Sequence, residues 1–197
     1  MRITGGEFGG RNLKVPKSDA IRPTQDRVRE ALFNIIQFEV AESDFLDLFA
    51  GSGAVGLEAL SRGAKSVTFV ERERRHLAVL KENLESLGSS RVETGAARPM
   101  ATLNDTTVVA ADAYRWIERY AGPGFTIGFA DPPYALGEEK GYASVLATLA
   151  ERGVIRPDGL FIAEMTAVQK AEETPGWELV RDRTYGKTRL CIWRRGA

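Results

Sequence analysis

The sequence predicts an α/β fold in which helices cover both faces of a mostly parallel β-sheet. From residue 45 onwards, short apolar runs alternate with amphipathic stretches, and alternation of strand and helix is typical of a parallel sheet. Near the C-terminus, two apolar runs flank a Gly-Lys pair and predict an antiparallel hairpin. A length of 197 residues fits one such domain with a small appendage.

The appendage is predicted at the N-terminus. Two β-prone runs flank the sequence GGEFGG, so residues 1–20 are expected to form a β-hairpin extension with a flexible tip. Residues 21–197 then form the main domain. It opens with an amphipathic helix in which Thr24 is the expected N-cap, Asp26 lies in the first turn, and apolar residues recur at helical spacing from Val28.

The main domain contains seven predicted strands. In chain order they read FLDLFA, SVTFVE, TVVAADA, FTIGFAD, GLFIAEM, WELVRDRTY and TRLCIWRR. Four predicted helices connect the first five strands, and their sequences are AVGLEALSRG, RERRHLAVLKENLESLG, AYRWIERYA and YASVLATLAERG. Residues 89–106 show no clear period and are expected to form a surface excursion.

Composition excludes several classes of protein. The chain is 43% hydrophobic and carries 27 basic and 27 acidic side chains, which is typical of a soluble globular domain. No stretch approaches the roughly 20 apolar residues of a membrane span, and the N-terminus lacks the apolar core of a signal peptide, so we expect a cytoplasmic protein. The single cysteine, Cys191, and the single histidine, His76, leave no disulfide framework and no zinc site, and we expect no metal.

Basic residues concentrate at the two ends of the chain. Residues 1–30 carry seven basic and four acidic side chains, and residues 181–197 carry six basic side chains against one acid. If the ends meet on one face, they form a basic patch that suits a phosphate backbone, although solvated surface charge explains the pattern equally well. The candidate nucleic-acid contacts are Arg2, Arg11, Lys14, Arg22, Arg29, Lys187 and Arg189.

A glycine-rich turn follows the first strand of the main domain. Gly51, Gly53 and Gly56 have the G-x-G-x-x-G spacing, which permits a tight turn, close approach of a ligand, and the start of a helix whose amides face that ligand. Glu71 ends the second strand, where its carboxylate can bind both hydroxyls of a ribose. Together they indicate a nucleoside cofactor, either a dinucleotide or S-adenosylmethionine.

Two further acids favour S-adenosylmethionine. Asp47 lies at the end of the first strand, where a carboxylate suits an ammonium or sulfonium better than a pyrophosphate. Asp112 closes the third predicted strand, and with the Ala113 amide it can address the edge of an adenine. The expected cofactor site comprises Thr24, Asp47, Phe49, Ala50, Gly51, Ser52, Gly53, Glu71, Arg72, Asp112 and Ala113.

The fourth strand ends in Asp131, Pro132, Pro133 and Tyr134. The exocyclic amine of a base is a poor nucleophile because its lone pair is delocalised into the ring. A site that accepts both amine hydrogens, on the Asp131 carboxylate and the Pro132 carbonyl, would free that lone pair. The prolines keep the carbonyl aimed, and Tyr134 offers a face for stacking an extruded base. These four residues are therefore the predicted catalytic site.

The motifs DLFAGSGAVGLEALSRGA, FVERERR, AADAY and ADPPY, in this order, resemble the amino methyltransferases that use S-adenosylmethionine. The front of the chain, RITGGEFGGRNLKVP and then RPTQDRVREALFNII, resembles the RsmD family of bacterial small-subunit rRNA guanine-N2 methyltransferases. The resemblance covers nearly the whole chain except residues 89–106.

This resemblance implies a Rossmann-like class I methyltransferase fold with a seven-stranded sheet whose last strand is antiparallel. It implies that Thr24 contacts the methionine end of the cofactor, that the glycine turn and the strand-end acids hold the rest, and that residues 131–134 receive a guanine. The expected substrate is 16S rRNA or the small ribosomal subunit, and the expected state is a monomer.

Three other functions remain open on the sequence. A DNA adenine-N6 methyltransferase would use the same site chemistry, although no separate DNA-reading domain is evident. A nicotinamide-dependent reductase would use the glycine turn and Glu71 but would leave residues 131–134 unexplained. A non-catalytic RNA-binding assembly factor would have no need of Asp131.

Overall fold

We describe the protein from a computed structural model. The structure describes residues 1–16, 23–88, 93–94, 105–132 and 141–197. Contacts within the chain divide it into two compact units, Met1–Asp112 and Ala113–Ala197.

The first unit consists of a parallel group of strands and the helices that connect them. Its strands pair in the order β3-β4-β2-β1, and every pair is parallel. The described elements are α1 (Pro23–Ile35), β1 (Asp44–Leu48), α2 (Ala54–Ser61), β2 (Ser66–Glu71), α3 (Arg74–Ser86), β3 (Glu93–Thr94) and β4 (Asp105–Ala110).

The second unit combines a parallel strand pair with an antiparallel hairpin. The described elements are α4 (Ala113–Arg119), β5 (Phe125–Ala130), α5 (Tyr142–Glu151), β6 (Ile155–Thr166), β7 (Trp177–Tyr185) and β8 (Thr188–Arg195). β5 pairs in parallel with β6, and β8 lies between β6 and β7 and is antiparallel to both. The hairpin and the antiparallel last strand expected from the sequence are therefore confirmed.

All seven predicted strands are present, several with shifted ends, and three differences concern the candidate site or its surroundings. β3, a strand of two residues, lies in the segment expected to be an irregular excursion. β4 ends at Ala110, so Asp112 lies in the turn beyond the strand. α1 already includes Pro23, which places Thr24 inside the first turn and not at the N-cap. Proline suits the first helical position because its missing N–H would have no partner there.

The N-terminal segment forms the expected hairpin, with one bridge between Arg2 and Asn12. The Glu7 amide at its tip donates to the Ser61 carbonyl at 2.7 Å, and the flexibility of the tip stays a prediction. Gly6 has a φ of 76°, and a Cβ there would lie 1.8 Å from the same carbonyl oxygen. Only glycine permits this approach. The predicted boundary at residues 20/21 lies outside the described residues and stays a prediction.

Each unit has its own apolar core, which fixes the strand ends that carry the candidate site. In the first unit the largest fully buried side chains are Phe33, Phe45, Phe69, Ile3, Leu32, Ile36, Leu46, Leu48, Leu57 and Leu80. In the second unit they are Phe161 and Trp193. Cys191 is fully buried beside them in β8, as expected for a core cysteine.

Candidate functional site

The glycine turn joins β1 to α2 through five residues with an unusual backbone. Gly51 and Gly53 have φ values of 56° and 84°, which lie in the left-handed region that glycine adopts without strain. Phe49 also has a positive φ of 61°, which costs a non-glycine residue on the order of 1–3 kcal/mol. The Gly53 amide closes the turn by donating to the Ala50 carbonyl at 2.7 Å.

Glycine is needed at the three positions of the motif for different physical reasons. A Cβ on Gly53 would lie 2.3 Å from Leu80 Cδ1, and one on Gly56 would lie 2.3 Å from Phe69 Cε1. A Cβ on Gly51 would meet nothing closer than the Phe49 carbonyl oxygen at 4.0 Å. The second and third glycines therefore allow helix packing, whereas Gly51 presents open backbone that a ligand can approach.

Glu71 is buried at the end of β2 and accepts three backbone hydrogen bonds. Its Oε2 accepts from the Gly51 amide at 2.8 Å, and its Oε1 accepts from the amides of Arg72 and Glu73 at 2.8 and 2.7 Å. This arrangement fixes the orientation of the carboxylate beside the glycine turn. His76 Nδ1 lies 3.6 Å from Glu71 Oε2, and its side chain is half-buried.

Asp47 is buried in β1 and binds the start of α2. Its Oδ2 accepts a hydrogen bond from the Gly56 amide at 2.9 Å. A carboxylate at this end of a helix satisfies an amide that has no partner within the helix and interacts favourably with the helix dipole. Asp47 therefore joins β1 to α2, a role that the sequence interpretation did not include.

Arg72 follows the end of β2, and Asp112 follows the end of the neighbouring strand β4. Arg72 Nη1 is 3.4 Å from Asp112 Oδ2, and both side chains are partly exposed. The Ala111 amide donates to the Glu71 carbonyl at 3.0 Å. The first unit thus brings together the glycine turn, Glu71, Arg72 and Asp112, while Ala113 begins α4 in the second unit.

Asp131 follows β5 directly, as the prolines predicted. It is exposed, while Pro132 is buried. The surrounding protein desolvates the carboxyl and raises the pKa of Asp131 to about 7, although water that reaches the exposed side chain screens part of this effect.

Tyr142, the first residue of α5, lies near Asp131. Burial raises the pKa of Tyr142, and the negative charge of Asp131 raises it further. The Tyr142 hydroxyl donates to the Glu164 carbonyl oxygen at 3.1 Å. Glu164 lies within β6, one residue beyond Ala163, which pairs with Ala130, so Asp131, directly after β5, is level with Glu164 in the neighbouring strand.

Four predicted site residues fall partly or wholly outside the described part of the chain. Pro133 and Tyr134 are not described, and neither is Arg22. Thr24 belongs to α1, but its side chain is not described. Their assignments stay predictions.

Two buried polar residues near the site were missed by the sequence interpretation. Glu58 of α2 is fully buried and accepts hydrogen bonds from the amides of Thr4 and Gly5, both at 2.8 Å. Asn83 of α3 is buried and binds the backbone of Lys14 and Ser52. The available signal was a polar residue on an apolar helix face, since such a residue requires partners.

The basic residues proposed to contact nucleic acid lie in different environments. Arg29 is only 4% exposed, and its Nε lies 3.3 Å from Glu58 Oε2, so it serves the interior of the first unit. Arg189 binds Asp182 through two nitrogens and is half-buried. Four of the candidate RNA contacts are exposed to solvent: Arg2, Arg11, Lys14 and Lys187.

Two other kinds of feature are absent from the described residues. No described helix is long and apolar enough to span a membrane. Within the same residues, no group of three or more His, Cys, Asp or Glu side chains is placed to hold a metal ion.

The strand order, the glycine turn and the strand-end acids define a Rossmann-like class I methyltransferase fold. The solved structure titled "Putative methyltransferase yhhF from Escherichia coli" matches with a TM-score of 0.82 at 33% identity, covering 100% of this chain and 98% of that one. The family described as Conserved hypothetical protein 95 matches residues 1–194. The chain belongs to this family, and the predicted RsmD membership is confirmed.

Curated relatives support the same membership over nearly the full chain. "Ribosomal RNA small subunit methyltransferase D" of Escherichia coli (strain K12) is 35% identical over 200 residues, covering 100% of this chain and 91% of that protein. The protein of the same name from Haemophilus influenzae is 35% identical over 187 residues, covering 94% and 89%.

Proposed function

We propose that the protein transfers a methyl group from S-adenosylmethionine to the exocyclic N2 amine of a guanine in 16S rRNA. The observation that carries this proposal is Asp131, an exposed acid with a desolvated carboxyl directly after β5. The relatives named as rRNA small-subunit methyltransferases support the substrate. The guanine and its N2 atom rest on the resemblance of residues 131–134 to amino methyltransferases.

The first unit offers a donor set that fits the nucleoside part of S-adenosylmethionine. Glu71 presents an oriented carboxylate for ribose hydroxyls, and the open backbone at Gly51 lets a ligand approach closely. We assign Asp112 to the adenine, and Asp47 supplies negative charge near the glycine turn. We also assign Thr24, Phe49, Ala50, Ser52, Gly53, Arg72 and Ala113 to this site.

When bound, S-adenosylmethionine supplies an electrophilic methyl group on a sulfonium centre. The protein's own residues prepare the nucleophile. The Asp131 carboxylate accepts one hydrogen of the guanine amine, the Pro132 carbonyl accepts the other, and the lone pair on nitrogen becomes available. Pro133 stiffens the backbone, and Tyr134 stacks on the base. After transfer, the methylated nitrogen carries one extra proton, which leaves to water.

We propose that basic residues hold the RNA backbone, four of which (Arg2, Arg11, Lys14 and Lys187) are exposed. Arg2, Arg11, Lys14, Arg22, Lys187 and Arg189 remain assigned to this role. Because each neutralised phosphate releases counterions, the RNA affinity should fall steeply with salt. Titrations between about 50 and 200 mM salt measure the slope, and a flat dependence would remove the basic surface from the proposal.

The direct test is methyl transfer from labelled S-adenosylmethionine to unmodified small subunits, followed by digestion of the RNA and separation of its nucleosides. The proposal expects label in N2-methylguanosine. Asp131→Ala should abolish transfer while cofactor affinity stays within a few-fold, and Glu151→Ala, which changes an exposed acid in the same unit, should be normal. Label in no nucleoside despite cofactor binding would refute the RNA assignment and favour DNA adenine.

The proposed substrate also implies where the protein acts. Small ribosomal subunits assemble in the bacterial cytoplasm, so we place the protein there. We further propose that one chain suffices for the reaction. Light scattering of the active protein with and without RNA tests this, and activity confined to a dimer would contradict it.

A further inference from the structure

Asn83 connects the N-terminal segment to the glycine turn. Its Oδ1 accepts from the Lys14 amide at 2.8 Å, and its Nδ2 donates to the Lys14 carbonyl at 3.0 Å and the Ser52 carbonyl at 2.9 Å. The residue is 1% exposed. A single side chain in α3 thus binds the backbone of two segments that are 38 residues apart in sequence.

The geometry requires both the size and the hydrogen-bonding groups of asparagine. Its amide group pairs with both backbone groups of Lys14, as a neighbouring strand would, and uses its second N–H for Ser52. Aspartate has the same shape but no donors, so it would set a negative oxygen against two carbonyls. Leucine would leave all three backbone groups without this partner, and an unsatisfied buried polar group is destabilising.

The same helix supports the turn at a second point. Leu80, one turn before Asn83, packs under Gly53 so closely that a Cβ there would lie 2.3 Å from Leu80 Cδ1. Leu80 controls how near the turn comes to α3, whereas Asn83 fixes the orientation of the Ser52 peptide. Together with the bond from the Gly51 amide to Glu71, these contacts restrain three consecutive residues.

We propose that Asn83 is a positioning residue, which holds the Ser52 peptide in the orientation needed to bind the cofactor and fixes the N-terminal segment against it. The identity of the ligand rests on the proposed function, but the restraint on the turn does not. Asn83 touches backbone alone in this role, and its effect on the reaction passes through the turn.

The first test measures hydrogen exchange in the protein without cofactor. In Asn83→Asp, the peptide that covers residues 50–56 should exchange at least about tenfold faster than in the wild type, since one lost buried hydrogen bond corresponds to about that factor. Ser61→Ala is the matched control, because Ser61 also binds the N-terminal segment through its Oγ but does not contact the turn.

The second test measures cofactor affinity by calorimetry with S-adenosylmethionine and the KM and kcat of methyl transfer. Asn83→Asp should raise Kd and KM about tenfold with kcat within about threefold, because the catalytic residues are untouched. Asn83→Gln, which keeps the donors on a longer side chain, should lie between. Ser61→Ala should bind S-adenosylmethionine with the wild-type Kd, although its loss of stability should be comparable to that of Asn83→Asp.

Equal effects of Asn83→Asp and Ser61→Ala on exchange and affinity would overturn the proposal, because Asn83 would then be merely structural. If Asn83→Asp does not fold, Asn83→Gln gives the same comparison at smaller amplitude. Failure of the wild type to bind S-adenosylmethionine would contradict the proposed function alone, since the exchange experiment needs no ligand.

Discussion

The Glu71 carboxylate accepts a hydrogen bond from the Gly51 amide at 2.8 Å and thereby joins the end of β2 to the turn that follows β1. One acid therefore orients both itself and the most open residue of the glycine motif. The hydrogen bonds that the other oxygen accepts from the Arg72 and Glu73 amides prevent rotation of the carboxylate. The candidate ribose site is thus largely formed before a ligand binds.

Glu71→Gln is expected to weaken S-adenosylmethionine binding by about tenfold or more. Glutamine must place an NH2 group against either the Gly51 amide or the amides of Arg72 and Glu73, so donor faces donor in both orientations. Calorimetry measures the affinity. Glu73→Gln removes the neighbouring exposed charge and should bind normally, whereas equal loss in both variants would point to general electrostatics.

The rate of methyl transfer should rise with pH through about 7. The raised pKa of Asp131 means that the carboxylate, which is the stronger acceptor for an amine hydrogen, forms only as pH increases through that value. The pKa of Tyr142 is raised, so its hydroxyl stays neutral. Measured kcat/KM between pH 5.5 and about 8.5 tests this expectation.

Asp131→Asn provides the control for this pH profile. Its side-chain oxygen still accepts a hydrogen bond, but the group does not titrate, so activity should persist at a reduced level without the rise near pH 7. An unchanged rise in this variant would assign the titration to another group.

The contribution of Asp131 to the free energy of unfolding should fall with pH, whereas the rate of methyl transfer should rise. An acid whose pKa is raised from 3.8 to about 7 binds its proton more tightly in the folded state. The free energy of unfolding therefore falls as pH rises from about 4 to about 7. Asp131→Asn should remove this component, and chemical denaturation at several pH values measures it. Identical pH dependence in both proteins would show that the carboxyl is not desolvated.

Much of the fold could be predicted because strands and helices have distinct periods. The second strand was predicted with the observed bounds, and the two strands of the last hairpin were as well. Proline and glycine marked the strand and helix ends through local backbone restrictions. The position of Asp131 directly after β5 follows from this local effect.

Long-range pairing could not be read from the sequence. Arg29 lies in a basic, amphipathic stretch and was assigned to RNA, but its partner Glu58 is 29 residues away in another helix. Asn83 lies among leucines in the sequence, and no local pattern indicates that it binds the backbone of Lys14 and Ser52. Local pattern indicates which residues are buried, whereas their partners depend on the assembled fold.

Gly56→Ala should destabilise the protein by about 1–3 kcal/mol, because overpacking at a close helix–strand contact forces neighbours to move. The added Cβ would lie 2.3 Å from Phe69 Cε1 and 2.9 Å from Val67 Cγ1. Chemical denaturation gives the change. In a double-mutant cycle, Gly56→Ala with Phe69→Leu should be less destabilised than the sum of the single changes. Simple additivity would show that Phe69 does not limit the approach.

Substitutions of Arg29 and Lys14 should distinguish a residue that stabilises the interior from one that contacts RNA. Arg29→Met removes one of the cations that serve the fully buried Glu58 carboxylate, alongside Arg62, and should cost about 3 kcal/mol of stability. Because Arg29 is buried, the salt dependence of RNA binding should not change. Filter binding at several salt concentrations measures that slope.

Lys14→Met is the matched change on the surface. Lys14 is 67% exposed and pairs with an exposed Glu82, so stability should change by no more than about 1 kcal/mol. If Lys14 binds a phosphate, the salt slope should decrease by about 1. A loss of slope in Arg29→Met at full stability would instead mean that Arg29 leaves Glu58 to reach the RNA, and an unchanged slope in Lys14→Met would remove Lys14 from the RNA surface.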